Sequence, residues 1–303
     1  MGLPFRIVLY AVDGSVAESA AAAAFQRIAQ LNGSMSDYEP ESELSQLSRT
    51  AGTGQAVPVS PDLWNVLGRA QELARLSGGA FDVTVGPVVG LWRKARRERK
   101  FPNPEQLTAA RAAVGYEKLQ LDPHRRTAKL LAPGMRLDLG AIAKGYAVDQ
   151  ALGVLEKRGV TRALVAGGGD KALGAPPPGA KGWRIEIAPL DVTNAPPARF
   201  VTLSHMGLAT SGDVFQNVEI GGKRYSHIVD PRTGMGLTDH SLVTVIAPDG
   251  ITADGLATAV SVLGPTAGLK LIAKMKGAKA HIVRKPGAEI EFTESPGFRR
   301  FYL

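Results

Sequence analysis

The stretch RLDLGAIAKGYAVD, residues 136–149, begins a helical segment that continues to Gly159 and leads into the strand-like RALVA at 162–166. Small and apolar residues recur at helical spacing in the first part, and a glycine closes it, as at many helix ends. The short apolar run that follows is typical of a buried strand. A helix that leads directly into a buried strand indicates a fold in which helices pack on a sheet.

The same alternation of helical and strand-like segments extends over the rest of the chain. The predicted strands are FRIVLYAV (5–12), AFDVTV (80–85), WRIEIA (183–188), RFVTLS (199–204), KRYSHIV (223–229) and SLVTVIA (241–247), with a hairpin in 118–138. The predicted helices run from a Ser15/Glu18 capping box to about Leu31, follow Ser60 and Asn103, and cover 251–264 and 266–277. With no repeat and no low-complexity linker, we expect one α/β (α+β mixed) domain over residues 1–303, with largely antiparallel sheets flanked by helices in one or two lobes.

Composition narrows the classes of function. The chain has 303 residues, a formal net charge of +8 and no cysteine, which excludes disulfides, thiolate metal ligands and cysteine nucleophiles. The positive balance favours anionic partners, but the basic run RKARRERK (93–100) lacks interleaved aromatics and predicts a solvated loop or helix face. No stretch approaches the roughly 20 apolar residues of a membrane helix. Because the strand-like PFRIVLYAV begins at Pro4, close to Met1, we expect no leader in this chain.

Asp138 and Lys144 in the opening stretch are candidates for contact with an anionic ligand. Lys144 is predicted in the first turn of a helix, where the dipole disfavours a cation but attracts an anion. A bound anion would explain the lysine. The alternative is that Asp138, at a strand end, caps the helix and Lys144 lies on the surface. The glycines at 167–169 could likewise cradle phosphate, but they match no nucleotide fingerprint, so a tight turn is the simpler explanation.

Asp254 and Thr258 are four residues apart on a predicted helix, which places a carboxylate and a hydroxyl on one face. Hard oxygen donors of this kind suit Mg²⁺, with phosphate and water completing its shell. Gly255 between them costs about 1 kcal/mol relative to alanine, so close approach of another group is expected there. The alternative is that Asp254 is a charge near the helix N-terminus and Thr258 a half-buried helix residue.

The segment YSHIVDPRTG, residues 225–234, places a histidine before a turn. Asp230 and Pro231 occupy the positions that a type I β-turn prefers, which explains both residues without a function. The turn does not explain His227, because a strand needs no imidazole. His227 is therefore a candidate general base, and a structural histidine with satisfied hydrogen bonds is the alternative.

Taken together and in this order, these segments resemble the ApbE family of FAD:protein FMN transferases. The resemblance is carried by MGLPFRIVLYA, MSDYEPESELSQLSR, GGAFDVTVGPVVGLW, DLGAIAKGYAVD, GGGD, TSGD, YSHIVDPRTG and ADGLATA, which span nearly the whole chain. It implies a single ApbE-like (T-fold-like) domain. It also implies Mg²⁺-dependent transfer of FMN from FAD to a threonine or serine hydroxyl of an acceptor flavoprotein, with release of AMP.

The resemblance also implies roles for individual residues. His227 and Asp254 match catalytic positions, with His227 as the base that takes the proton of the acceptor hydroxyl. The implied metal ligands are Asp254, Thr258 and the backbone carbonyl of Ala141. The implied FAD contacts are Met1, Tyr38, Ala80, Phe81, Asp82, Asp138, Lys144 and Val229. Asp230 and Arg232 are expected to shape the wall beside His227.

The chain departs from the family pattern at four positions. Leu3 stands where threonine is usual, and Ala166 and Lys171 replace an asparagine and an apolar residue of the glycine loop. Ala257 stands where some members have a second aspartate, so the predicted metal helix offers one carboxylate. One carboxylate is adequate for Mg²⁺ beside a diphosphate.

Other functions stay open at this point. The same pocket could hydrolyse FAD to FMN and AMP, or the chain could be a non-catalytic FAD-binding protein. A basic nucleic-acid-binding protein is a further alternative, although we expect no nucleic-acid partner. The family acts in the periplasm or anchored on the outer side of the inner membrane, while the expected lack of a leader keeps a cytoplasmic location open. A homodimer is compatible with the sequence.

Overall fold

The computed structural model describes residues 3–190, 199–214, 216–287 and 289–303. In this part of the chain, seven α-helices combine with sheets whose assigned strand pairs are antiparallel, which confirms the predicted fold class. The strands are β1 (Phe5–Tyr10), β2 (Val57–Pro58), β3 (Leu119–Asp122), β4 (Thr127–Leu130), β5 (Arg162–Gly167), β6 (Asp170–Leu173), β7 (Trp183–Ile187), β8 (Arg199–Leu203), β9 (Met206–Gly212), β10 (Asn217–Ile220), β11 (Lys223–Ser226), β12 (Val229–Asp230), β13 (Met235–Gly236), β14 (Ser241–Ala247), β15 (Lys279–Arg284) and β16 (Glu291–Glu294). The helices are α1 (Gly14–Met35), α2 (Glu43–Arg49), α3 (Pro61–Ser77), α4 (Gly86–Glu98), α5 (Pro104–Ala112), α6 (Ala143–Lys157) and α7 (Gly250–Lys274).

The chain divides into two compact units. The first unit contains Met1–Leu31, Ile142–Ser211 and Ser241–Leu303, and the second contains Asn32–Ala141 and Gly212–His240. Each unit is therefore assembled from segments that are distant in sequence. The prediction of a single domain over residues 1–303 stays a prediction.

The first unit is built on a seven-stranded sheet in the order β1-β5-β6-β9-β14-β15-β16. Side chains of a strand alternate between the two faces, and both faces of this sheet are buried. Ala163 and Val165 of β5 pack with residues of α1 and α6, whereas Leu164 packs with the β7–β8 hairpin and with Phe298 near the C-terminus. The strand predicted from RALVA is thus buried on both sides, as its continuous apolar pattern indicates.

The second unit has a smaller core around Trp92 of α4. Trp92 packs with Val88, Leu107 and Tyr225, and its indole N–H donates a hydrogen bond to the Gly234 carbonyl at 2.8 Å. Three short sheets, β2-β4-β3, β10-β11 and β12-β13, complete the described part of this unit. The contact between Trp92 and Gly234 ties the turn after β12 to the core.

Helix α1 differs from its prediction at the N-terminus. The Asp13 carboxylate accepts hydrogen bonds from the Val16 N–H and the Ser15 hydroxyl, both at 2.9 Å. Asp13 therefore caps the helix, and the predicted Ser15/Glu18 capping box was wrong. An aspartate accepts more strongly than a serine hydroxyl at this position because its charge also complements the helix dipole.

Three predictions about strands were also wrong. Residues 80–85 form a turn, because Asp82 Oδ1 accepts hydrogen bonds from the Thr84 N–H at 2.8 Å and the Thr84 hydroxyl at 2.7 Å. Asp138 does not end a strand, since Arg136 forms only an isolated bridge to Val85. The predicted strand KRYSHIV is interrupted at His227, so it forms β11 and β12 instead of one strand.

Helix α7 contains a break that the sequence predicted. At Gly264 the backbone adopts φ 72° and ψ 177°, which is not helical, and Pro265 follows. The break therefore separates the predicted segments 251–264 and 266–277, although the second helical piece ends at Lys274 and not at Gly277. By length and composition alone, α7 could cross a membrane, contrary to the expectation that no stretch approaches this limit. This is weak evidence for a membrane, because core helices meet the same criterion, and residues from Gly250 to Ala257 are buried.

Candidate active site

Helices α6 and α7 approach each other through glycine in the first unit. A Cβ atom at Gly145 would overlap with the Gly250 carbonyl oxygen and would lie 2.7 Å from Asp254 Cβ. Only glycine fits this contact. The close approach lets the Gly145 N–H donate a hydrogen bond to Asp254 Oδ2 at 3.0 Å, near the N-terminus of α6. The glycine in the opening stretch thus places the carboxylate of a residue 109 positions away in sequence.

Lys144, which precedes this glycine, lies between two buried carboxylates. Its Nζ atom is 3.3 and 3.2 Å from the two oxygens of Asp254 and 3.1 Å from Asp170 Oδ2. Asp170 is placed by the turn between β5 and β6, where Gly168 has φ 61°. The glycine run is therefore a tight turn, and its function in this unit is to hold Asp170 beside the lysine.

Burial and the neighbouring charges shift the pKa values of the groups in this cluster. Burial lowers the pKa of Lys144, but the carboxylates of Asp254 and Asp170 raise it overall, so the lysine stays charged. Burial and the neighbouring Asp254 charge raise the pKa of Asp170 to about 7 against the opposing effect of Lys144. Asp170 Oδ2, although within ion-pair distance of Lys144, makes no hydrogen bond of good geometry. Two carboxylates thus share one ammonium group.

The donor set around Asp254 fits a divalent cation with hard-oxygen preference. Thr258 lies one turn further along α7, and its hydroxyl is 3.4 Å from the Ser211 hydroxyl. Among the described residues, no group of three or more His, Cys, Asp or Glu side chains could hold a metal ion. Mg²⁺ typically takes only one or two protein carboxylates and keeps water and phosphate ligands. The carboxylate of Asp254 and the hydroxyl of Thr258 are oxygen donors of this kind.

In the second unit, Arg93 brings together two residues that the sequence predicted separately. Its guanidinium contacts Asp37 and donates to Asp138 Oδ2 at 2.8 Å, and it lies over the Tyr38 ring at 4.4 Å. Asp138 also accepts a hydrogen bond from the Gly140 N–H at 2.8 Å. Burial and the Asp37 charge raise the pKa of Asp138, while Arg93 opposes the shift.

The assignment of Arg93 to a solvated basic run was wrong. Its side chain is 21% exposed and paired with two carboxylates. The signal that could have found it is its position directly after Trp92, at the point where the apolar GPVVGLW pattern ends. A basic run that begins beside a core tryptophan need not be solvated along its whole length.

His227 lies between β11 and β12 in the second unit. Its Nδ1 atom is 3.1 Å from the Gln216 carbonyl oxygen, which also accepts the His227 backbone N–H at 2.9 Å. Because a carbonyl oxygen only accepts, Nδ1 must carry the proton in this contact, and the basic lone pair of the neutral ring is on Nε2. This tautomer suits a general base.

The turn after His227 is held by an ion pair. The Arg232 guanidinium donates to both oxygens of Asp230 at 2.9 Å, and the Arg232 N–H donates to Asp230 Oδ1, also at 2.9 Å. Arg232 and Asp82 line a cleft of about 490 Å³ within this unit, together with Tyr116. Burial raises the pKa of Asp82, although its hydrogen bonds from Thr84 act in the opposite direction.

The remaining predicted residues are dispersed. Ala80, Phe81 and Val229 are buried in the second unit, and Ala141 is the last residue of that unit's first segment. Met1 lies outside the described residues. The roles of all these residues in binding FAD or a metal stay predictions. The structure unites Lys144 with Asp254 in one unit, and Tyr38 with Asp138 in the other.

Comparisons with known proteins identify the family of the chain. The family model described as "ApbE family" matches residues 1–282. An FAD:protein FMN transferase of Haemophilus influenzae is 38% identical over 261 residues, which cover 84% of this chain and 75% of that protein. The solved structure of flavin transferase ApbE from Vibrio cholerae superposes with a TM-score of 0.89 at 30% identity, covering 99% of this chain and 96% of that chain. The apo form of the flavinyl transferase ApbE from Pseudomonas stutzeri gives a TM-score of 0.86 at 31% identity, covering 98% and 93%. The predicted family and transferase class are confirmed, and the chain belongs to the ApbE family.

Proposed function

We propose that this chain is an FAD:protein FMN transferase that moves FMN from FAD to a threonine or serine hydroxyl of an acceptor flavoprotein and releases AMP. The observation that carries the proposal is the buried Asp254 carboxylate in the first unit, paired with the half-buried Lys144 and followed one helical turn later by the half-buried Thr258. The names of the relatives support the same reaction. Mg²⁺ dependence is part of the proposal because the donor set around Asp254 fits this ion.

The residues of the first unit act on the phosphate side of the reaction. Asp254 and Thr258 would hold the cation. When bound, the cation neutralises diphosphate charge and favours departure of AMP. Lys144 stays protonated between its carboxylates, so it supplies a fixed positive charge for an anionic substrate.

The proposed role of His227 is to move a proton. The acceptor hydroxyl oxygen forms a new bond to the phosphorus of FMN, and the bond between that phosphorus and the oxygen of AMP breaks. The hydroxyl proton passes to Nε2 of His227, which the hydrogen bond from Nδ1 to the Gln216 carbonyl leaves as the basic nitrogen. The Gln216 carbonyl then stabilises the imidazolium that forms.

The reaction is tested with purified protein, FAD, Mg²⁺ and a candidate acceptor flavoprotein. We expect AMP together with a fluorescent, covalently flavinylated acceptor, and mass spectrometry of its peptides should place FMN on a hydroxyl. AMP without modified acceptor would instead favour FAD hydrolysis. Tight FAD binding without AMP would favour a non-catalytic flavin-binding protein.

The base is tested with His227→Gln. We expect transfer to slow by about 10²- to 10⁴-fold, because the proton loses its acceptor, while FAD affinity is retained. The matched control is His124→Gln, since His124 is exposed in the turn between β3 and β4. Equal rates for the two variants would remove His227 from its role.

A further inference from the structure

The first unit contains a buried carboxylate, that of Asp170, which the proposed reaction does not use. Asp170 is 2% exposed, and its Oδ2 atom makes no hydrogen bond of good geometry. Its nearest described partner is the Lys144 ammonium at 3.1 Å. A buried carboxylate oxygen without a satisfying hydrogen bond costs stability, so its retention calls for a reason.

The lysine beside Asp170 occupies the carboxylate that the metal is proposed to use. Lys144 Nζ lies within 3.3 Å of both Asp254 oxygens. Like charges at such separations repel strongly in a buried environment. A divalent cation on Asp254 would therefore weaken the hold of that carboxylate on the lysine, and the two cations would compete for Asp254.

Asp170 is placed to hold Lys144 when a divalent cation displaces the lysine from Asp254. Its backbone is held in the β5–β6 hairpin, where it pairs with Gly167, and a Cβ atom at Gly169 would lie 2.7 Å from the Thr210 carbonyl oxygen. This tight packing leaves the carboxylate little freedom to move. Lys144, in contrast, has a flexible side chain with a compact charge that can shift between neighbouring oxygens.

We propose that Asp170 is a positioning residue that retains the Lys144 ammonium while a divalent cation replaces that ammonium on Asp254. The inference rests on the proposed metal role of Asp254. In the metal-free protein, the lysine neutralises both carboxylates in part. With the cation bound, Asp170 keeps its pairing with the lysine, which keeps a positive charge in the cluster for an anionic substrate.

Two other roles of Asp170 predict different results. A purely structural ion pair would leave the metal affinity of the folded protein unchanged when Asp170 is neutralised. A direct metal ligand would weaken metal binding when removed, whether or not Lys144 is present. If a divalent cation replaces the Lys144 ammonium on Asp254, the effect of Asp170 on metal affinity must depend on Lys144. A double-mutant cycle measures this dependence.

The experiment titrates Mn²⁺ into FAD-free protein and follows free Mn²⁺ by electron paramagnetic resonance. We expect Lys144→Met to tighten Mn²⁺ binding by about tenfold, because the competitor for Asp254 is gone, and Asp170→Asn to weaken it by about tenfold. In the Lys144→Met background, Asp170→Asn should change the affinity less than about twofold. Lys144→Gln, which keeps an N–H donor without the charge, serves if the methionine variant does not fold.

Lys171→Met is the matched control. Lys171 follows Asp170 directly, and its ammonium lies 3.4 Å from the Gly169 carbonyl oxygen. We expect a change in Mn²⁺ affinity of less than about twofold, because competition depends on contact with Asp254 more than on charge alone. If Lys171→Met raised the Mn²⁺ affinity as much as Lys144→Met does, the effect would come from the loss of any nearby positive charge. That result would overturn the proposal.

Three further results would overturn the proposal. These are unchanged or weaker Mn²⁺ binding in both Lys144 variants, an equal effect of Asp170→Asn with and without Lys144, and no Mn²⁺ binding to the unaltered protein. The last result would also remove the metal assignment. None of these titrations contains FAD or acceptor, so failure of the proposed reaction is recognised separately, by the absence of AMP and of flavinylated acceptor.

Discussion

Each of the two units contains a cluster in which one cation faces two carboxylates, and the clusters differ in how the cation is held. Arg93 in the second unit divides its donors, one terminal nitrogen to Asp37 and the other to Asp138. Lys144 in the first unit makes three contacts of 3.1 to 3.3 Å from a single nitrogen. The cations are almost equally buried, since their side chains are 21% and 20% exposed.

The difference lies in what each cation allows. A planar guanidinium with separate donors fixes two carboxylates in one geometry, whereas an ammonium is a point charge that can shift between oxygens. The cluster of Arg93 therefore suits a structural connection between the segment of Asp37 and that of Asp138. The cluster of Lys144 suits an exchange of partners.

The largest effect is expected from neutralising the Asp254 carboxylate in the Lys144 cluster of the first unit. Asp254→Asn should reduce transfer by about 10³-fold, because the cation and the electrostatic stabilisation it supplies are lost. The control is Asp249→Asn, which keeps an amide oxygen to accept the Thr252 N–H at the start of the same helix and should retain activity. Equal activity of both variants would exclude Asp254 from catalysis. The measurement is the rate of acceptor flavinylation.

The second largest effect is expected from adding a side chain at Gly145, where α6 and α7 approach each other beside this cluster. Gly145→Ala should lower the free energy of unfolding by about 3 kcal/mol, because the added methyl group overlaps the Gly250 carbonyl. Gly153→Ala in the same helix meets no atom within 4 Å and should raise stability by about 0.5 to 1 kcal/mol. Chemical denaturation of the two variants gives the comparison. Similar stability of both would contradict the close approach of α6 and α7.

A smaller effect tests whether the second cluster depends on the guanidinium shape. Arg93→Lys keeps the charge but cannot direct separate donors to Asp37 and Asp138, so we expect a loss of about 2 kcal/mol in unfolding free energy. The neighbouring Lys94→Arg changes an exposed residue, 4.0 Å from Glu98, and should have an effect below about 0.5 kcal/mol. If both substitutions lower the free energy of unfolding equally, the separate donors of the Arg93 guanidinium are not what stabilises this cluster.

The smallest effect concerns pH. The pKa of Asp170 is raised from 3.8 to about 7 by burial and by Asp254. The folded protein therefore holds a proton that the unfolded chain has lost, and the stabilisation is complete below 3.8 and is lost as the pH rises through about 7. Between about pH 6 and pH 8, the unaltered protein should lose about 1 kcal/mol more stability than Asp170→Asn. Thermal unfolding at both pH values measures this, and parallel changes in the two proteins would contradict the shift.

Local patterns predicted much of this molecule. The strand RALVA, the break in α7 at Gly264 and the shared helix face of Asp254 and Thr258 each depend on residues close in sequence. The glycines at 167–169 also form the tight turn that their composition favours. These features follow from backbone preferences and helical spacing, which a short segment carries by itself.

The ion pairs could not be predicted in the same way. Arg93 and Asp138 are 45 residues apart, and Lys144 and Asp254 are 110 apart, so their contacts exist only once the units fold. The same limitation explains why residues 80–85 were predicted as a strand. Their apolar alternation favours a strand, but the side chain of Asp82 bonds to Thr84 and closes a turn instead.

The non-helical backbone at Gly264 has a mechanical consequence for the residues that precede it. Because the helical hydrogen-bond ladder stops there and Pro265 has no N–H to restore it, a rotation or register shift in the C-terminal piece of α7 is not transmitted rigidly to Asp254 and Thr258.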